Sequence, residues 1–280
     1  MISVLLALLA AGAAAAGVVL QQKGTLETQA EASDPRFFAE VFHRRAWRAG
    51  GACQAAGLLL QAGALSTGSL VVVQCVMATN LVIALPLGRR LTNQTISRRV
   101  WLAAFAIVLG LVLFLSTAAP TGGTSTPPAA AWWPAALAAS IVVLVLAAAG
   151  RKPRGALRAL LLGGAAGVAF AVQASMTKVF VVLSGRGFNT VLSSWSSYGL
   201  ITSTMVGFAL WQAALKSGVL APAIASYNAV TLLASVVFGL AVFGETLSTS
   251  GGRLLPVATG LAVTMVGMVR LAGAPPPTGI

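Results

Sequence analysis

The chain is 280 residues long, with 58% hydrophobic and only 8% charged residues, where a soluble domain carries about 25% charged side chains. That deficit excludes a soluble globular protein, and so much apolar surface excludes a disordered one. Two cysteines are too few for a disulfide scaffold, and glycine follows no collagen period, so a polytopic membrane protein remains.

A net charge of +13 would direct a soluble chain towards nucleic acid. Here the basic residues stand in short clusters between apolar runs of about 20 residues, as in the cytoplasmic loops of membrane proteins. No nucleic-acid partner is expected.

A spanning helix needs about 20 mostly apolar residues. The first such stretch, 2–22, contains Ala14-Ala15-Ala16 and is weighed against a cleavable signal sequence. Its n-region Met1-Ile2-Ser3 has no Lys or Arg, and the positive charges follow the apolar run, which favours a retained helix with its N-terminus outside. The loop 23–46 sets Glu27, Glu31, Asp34 and Glu40 against several arginines. Within it Phe37, Phe38, Val41 and Phe42 predict a short amphipathic helix over 35–45, lying on the cytoplasmic face. His43, the single histidine, has no carboxylate or nucleophile pattern around it, and no catalytic residue, metal ligand set or cofactor is expected anywhere.

Helices follow at 47–65, 69–88 and 100–118, which hold both Cys53 and Cys75, expected as buried free thiols. The segment 118–131 is rich in Pro, Gly and Thr, carries no charge, and reads as an exposed loop. Beyond it lie 132–149, 158–183, 195–215, 219–243 and 254–271, and then a tail, 273–280, whose Pro275-Pro276-Pro277 predicts disorder. Trp47, Trp101, Trp132, Trp133 and Trp195 sit at helix starts, where headgroup anchoring accounts for them.

With the N-terminus outside, the cytoplasmic side collects Lys23, Arg36, Arg44, Arg45, Arg48, Arg89, Arg90, Arg98, Arg99, Arg151, Lys152, Arg154, Arg158, Lys216 and Arg270. Only Lys178, Arg186 and Arg253 fall towards the other side. The bias sets a multi-pass topology with the N-terminus out and the C-terminus in; arginine outnumbers lysine and alanine is abundant, and a bacterial plasma membrane is expected.

The chain also matches itself at an offset of 150 residues. Ala15-Ala16-Gly17-Val18 returns as Ala165-Ala166-Gly167-Val168, and Ala64-Leu65 with Gly68 and Leu70 as Ala214-Leu215 with Gly218 and Leu220. With six extra residues, Gly88-Arg89-Arg90-Leu91 corresponds to Gly244-Glu245-Thr246-Leu247. The expected fold is therefore all-α: nine transmembrane helices in two inverted four-helix repeats, 1–118 and 158–272, joined through the extracytoplasmic loop and linker helix of 119–157. An odd helix between two even repeats turns the second upside down, an architecture common among secondary transporters.

These residues resemble the drug/metabolite transporter superfamily, in its EamA- and NIPA-like branch. The resemblance runs over most of 1–271. Its carriers are Val19-Leu20-Gln21-Gln22-Lys23-Gly24, Gln61-Ala62-Gly63-Ala64-Leu65 and Leu70-Val71-Val72-Val73-Gln74. In the second half they are Ala214-Leu215-Lys216-Ser217-Gly218-Val219-Leu220-Ala221-Pro222 and Gly244-Glu245-Thr246-Leu247-Ser248. The resemblance implies a bundle that moves small solutes by alternating access, with magnesium the cargo linked to NIPA-type relatives. The sequence departs from the ten-helix form at the second helix of each repeat, where 25–45 is too polar and 185–194 too short to span.

The polar residues inside apolar stretches are Gln54, Gln61, Gln74, Asn80, Gln173, Ser175, Lys178, Gln212, Tyr227, Asn228 and Thr231. Interhelical hydrogen bonding accounts for any one of them. As pathway candidates we take Gln61, Gln74, Asn80, Gln173, Lys178, Trp211, Gln212, Tyr227, Asn228 and Thr231. Lys178 either snorkels to the interface or puts a fixed positive charge in the cavity. No Asp or Glu falls inside a predicted helix core, and Glu245, at a helix end, is expected to be solvated.

The expected activity is secondary transport or facilitation of a small solute, a metabolite or drug ahead of magnesium, and not an enzymatic one. A structural or regulatory membrane subunit that transports nothing is the alternative of another class. The partners are the bilayer, a small-molecule or ion substrate and, as an option, a second copy in a homodimer.

Overall fold

A computed structural model describes residues 2–26, 36–92, 98–118, 121–215, 217, 220–247 and 254–272. The tail 273–280, most of the acidic loop around Glu27, Glu31 and Asp34, and Lys216 and Arg253 lie outside the described residues. The protein is nearly all helical, and six of its helical stretches are long and apolar enough to cross a membrane. It is an all-α membrane protein.

The first part of the chain forms α1 (Ile2–Leu26), the short α2 (Arg36–His43), α3 (Arg45–Thr67), α4 (Leu70–Met77), α5 (Asn80–Thr92) and α6 (Arg98–Ala118). A two-residue strand, β1 (Thr121–Gly122), precedes α7 (Ala129–Ala149). The remainder forms α8 (Gly155–Ser184), the short α9 (Phe188–Ser193), α10 (Trp195–Leu215), α11 (Leu220–Ala241), β2 (Glu245–Thr246) and α12 (Leu254–Ala272). The amphipathic segment read at 35–45 is α2, with Val41 buried and Phe42 edge-on to Trp47, their ring centroids 4.4 Å apart.

Without a hydrophobic drive between helices in lipid, close backbone approach at small residues holds a bundle together. Three helix pairs use it. A Cβ on Gly50 of α3 would lie 2.7 Å from the Gly17 carbonyl oxygen of α1, and one on Gly163 of α8 would lie 2.6 Å from that of Ala223 on α11. One on Gly260 of α12 would lie 2.6 Å from the Phe114 amide nitrogen of α6. The outward faces are apolar instead of polar: Leu102, Phe105 and Leu109 on α6 and Leu137, Ile141 and Leu144 on α7 are all exposed. Both cysteines are free thiols, and Cys75 is buried.

The stretch read as one helix over 69–88 is broken. Ala78 and Thr79 form a turn between α4 and α5, where the Thr79 amide bonds to the Val76 carbonyl, three residues back, at 3.0 Å. The Thr79 hydroxyl donates to the same carbonyl at 2.7 Å. This hydroxyl competes with the helical ladder, which membrane helices tolerate where backbone groups find other partners. By contrast, α11 runs 22 residues without interruption.

Candidate functional site

Around this break, between the first and second halves of the chain, lies a cavity of about 260 Å³. The first half contributes Ala14, Val18 and Gln21 from α1, Gln54, Gly57, Leu58 and Gln61 from α3, and Gln74, Met77, Ala78 and Asn80 at the break. The second half contributes Phe170 and Gln173 from α8, Thr204, Phe208 and Trp211 from α10, and Tyr227, Asn228, Thr231 and Leu232 from α11. Not one of these side chains is charged.

Eight of the ten candidates named from sequence border the cavity: Gln61, Gln74, Asn80, Gln173, Trp211, Tyr227, Asn228 and Thr231. Gln212 and Lys178 are not among its lining residues. Sequence reasoning missed Gln21, Phe170, Thr204 and Phe208 and passed over Gln54. The signal for two of them was present in the internal match. Thr204 and Phe208 stand 150 residues after Gln54 and Leu58, as Trp211 does after Gln61, Tyr227 after Met77 and Asn228 after Ala78, and all ten line the cavity.

Several polar liners are already engaged with the scaffold. Gln173 donates from Nε2 to the Thr177 hydroxyl at 2.9 Å, and Asn228 from Nδ2 to the Ile224 carbonyl at 3.0 Å. The Thr231 hydroxyl donates to the Gly167 carbonyl at 3.2 Å and ties α11 to α8. Gln74 is different: it is buried, and its Nε2 has no hydrogen-bond partner. Tyr227 carries an aromatic wall, with the Trp211 ring 5.0 Å away and tilted by 48°, and the Phe170 ring edge-on at 5.5 Å.

Lys178 lies five residues beyond Gln173 on α8 and neither snorkels nor faces the cavity. It is buried, and its Nζ is 2.8 Å from Glu245 Oε1. Glu245, expected to be solvated, is 3% exposed. Its two oxygens accept the amide protons of Leu70 and Val71, the latter at 3.0 Å, while the Ser69 hydroxyl accepts that of Val72 at 3.1 Å. The first amides of α4, which have no partner within their own helix, are thereby satisfied by side chains, and the carboxylate sits at the positive end of that helix. The buried charge is tolerated because a lysine and two amides compensate it together.

The surrounding chain is shaped for the carboxylate. A Cβ on Gly239 would stand 2.8 Å from Glu245 Oε2, and Gly244 takes φ +64 to turn the chain out of α11 into β2. β2 pairs antiparallel with β1, setting Gly122 opposite Glu245. The Lys178 ammonium also lies 4.7 Å from the centre of the Phe243 ring. Trp132 packs edge-on against Phe243 at 5.7 Å and Trp195 at 5.5 Å, so it is a buried packing residue and not the headgroup anchor its position suggested. Ribbon, aromatic cluster and ion pair gather at one end of the bundle.

Among known proteins the chain is similar to an uncharacterized protein of Corynebacterium glutamicum, 26% identical over 278 residues that span 97% of this chain and 95% of that protein. No protein-family model matches the chain. No solved structure matches it.

Proposed function

We propose that the protein is a secondary transporter or facilitator that moves a small solute across the bacterial plasma membrane by alternating access. In this reading the bundle has nine spans, with α4 and α5 making one broken span, in two inverted repeats linked by α7. In this reading the chain is akin to the EamA- and NIPA-like branch of the drug/metabolite transporter superfamily.

The observation that carries the reading is the set of five residue pairs, each 150 positions apart, that meet around one cavity. The helix starts support it: Arg45 and Trp195 open α3 and α10, and Leu70 and Leu220 open α4 and α11, at the same spacing. The short α2 and α9 stand at corresponding places, where a ten-helix relative would have full spans. A broken helix beside a polar cavity at the repeat interface is how many transporters expose backbone to solute. A sealed bundle would have favoured a subunit that transports nothing.

With the arginine-rich loops in the cytoplasm, the closed ribbon end faces outwards, and the lining from Gln21, Gln54 and Trp211 extends towards the cytoplasmic half. This is an inward-facing arrangement. The Lys178–Glu245 pair holds the outer end shut and must part, or move as a unit with α4, when the cavity opens outwards. Magnesium is a poor fit, since it keeps its waters and is usually held by one or two carboxylates, and no described lining residue carries one.

Uptake into vesicles reconstituted with the purified chain tests the reading, with Mg²⁺ and a panel of uncharged and charged metabolites supplied in turn. Saturable, protein-dependent uptake of at least one solute is expected. Rates equal to those of protein-free vesicles across the panel would refute transport.

A further inference from the structure

The cavity narrows what it can admit. A solute that sheds its water needs every charge compensated, because an isolated ion in a low-dielectric site is strongly disfavoured. No described lining residue is charged, and the nearby Lys178 and Glu245 already neutralise each other at 2.8 Å. The preferred solute therefore has no net charge.

Gln74 points to its polar chemistry. This side chain lines the cavity, is 5% exposed, and leaves its Nε2 without a partner, a costly arrangement unless a ligand completes it. Turning the carboxamide over exchanges donor for acceptor at the same place. A ligand edge carrying an acceptor beside a donor satisfies the group in either setting. Gln173 and Asn228 have each committed an amide proton to the protein, which leaves their carbonyl oxygens to receive the donor.

Part of the lining is aromatic. Trp211, Tyr227 and Phe170 form a contiguous cluster beside these amides. Aromatic faces accept flat conjugated rings by stacking and select weakly among them. A volume of about 260 Å³, near the lower limit of about 300 Å³ for small-molecule sites, suits a molecule of one or two rings.

We propose that the site takes an uncharged, planar solute with an amide-like edge, of the class of a nucleobase or a heteroaromatic carboxamide. The proposal rests on the transport reading for its biological sense but not for its test. Three probes separate its elements: nicotinamide, nicotinate (the same ring with a negative charge) and cyclohexanecarboxamide (the same amide without the flat ring). Binding of each to the full chain in lipid nanodiscs is measured by titration calorimetry and by the shift in melting temperature.

Nicotinamide is expected to bind about tenfold or more tightly than either of the others, the difference that one lost charge-compatible or stacking contact makes. Gln74→Leu should weaken nicotinamide about tenfold, while the empty variant melts no lower than the parent because an unsatisfied buried amide has been removed. A purely structural Gln74 would instead lower the melting temperature and leave the affinity alone, which would overturn the proposal. Equal or tighter binding of nicotinate would overturn it too, as would no binding of any probe at millimolar concentration. Nicotinamide binding without vesicle uptake would sustain this site while sinking the transport reading; uptake of nicotinate or Mg²⁺ without nicotinamide binding would do the reverse.

Discussion

On the proposed repeat, the two halves of the bundle match in spacing and yet build unlike walls. At five positions 150 residues apart the first half places Gln54, Leu58, Gln61, Met77 and Ala78, and the second Thr204, Phe208, Trp211, Tyr227 and Asn228, all around one cavity. The first half brings five carboxamides and no aromatic ring to the lining, from Gln21, Gln54, Gln61, Gln74 and Asn80; the second brings all four aromatic rings, from Phe170, Phe208, Trp211 and Tyr227, and two carboxamides, Gln173 and Asn228. Their third helices differ as well. In the first half that helix breaks at Ala78–Thr79 beside the cavity, whereas α11 runs unbroken and delivers Glu245 to the N-terminus of α4. On that reading the matched positions carry the scaffold, and the departures from the match build the site and the ion pair at the ribbon end.

The largest test of that difference is at the ribbon end. Glu245→Ala strands the buried Lys178 charge and uncaps α4, and should cost about 3–5 kcal/mol in unfolding measurements in detergent. Adding Lys178→Met should recover part of the loss, since an unpaired buried ion costs more than none. A single variant as stable as the parent would mean that the pair is solvated in the membrane.

Next comes helix packing at matched glycines. A Cβ on Gly167 meets the Tyr227 carbonyl oxygen at 2.7 Å, which is fixed backbone; one on Gly17 meets Gln54 Cγ at 2.7 Å, a side chain that can move, and backbone only at 3.0 Å, at the Gly50 carbonyl oxygen. Gly167→Ala should therefore cost about 1–3 kcal/mol and Gly17→Ala less. Equal melting temperatures for the two variants would erase the distinction between the halves.

Smaller effects belong to the cavity. Trp211→Leu removes the central ring of the aromatic wall and should slow uptake of an uncharged planar solute about tenfold, near 1.4 kcal/mol. Its neighbour Gln212 is outside the lining, so Gln212→Ala should leave both uptake and melting temperature unchanged. Equal loss in both variants would show that the cavity as drawn is not the pathway.

Much of the architecture was legible from composition and spacing. Every apolar stretch marked in the sequence is mostly helical over its described residues, with one break at Ala78–Thr79, because about 20 apolar residues in lipid must satisfy their backbone internally. Most of the polar liners were legible as well, since amides within apolar runs are few. The break at Ala78–Thr79 was not, because a Thr hydroxyl bonding to Val76 leaves no mark on hydropathy. Glu245 was misread for a related reason. A carboxylate one residue past a helix-ending glycine looks solvated, and only the fold brings Lys178, from 67 positions away, and the amides of Leu70 and Val71 onto it.

The central claim, that this cavity communicates with both sides of the membrane in turn, can be tested without knowing the solute. Gln61→Cys, in a chain also carrying Cys53→Ala and Cys75→Ala, is labelled with a membrane-impermeant maleimide from each side of oriented vesicles. Labelling from both sides is predicted, faster from the arginine-rich side, with Glu245→Gln speeding reaction from the ribbon side. Labelling from one side alone, unchanged by Glu245→Gln, would contradict alternating access.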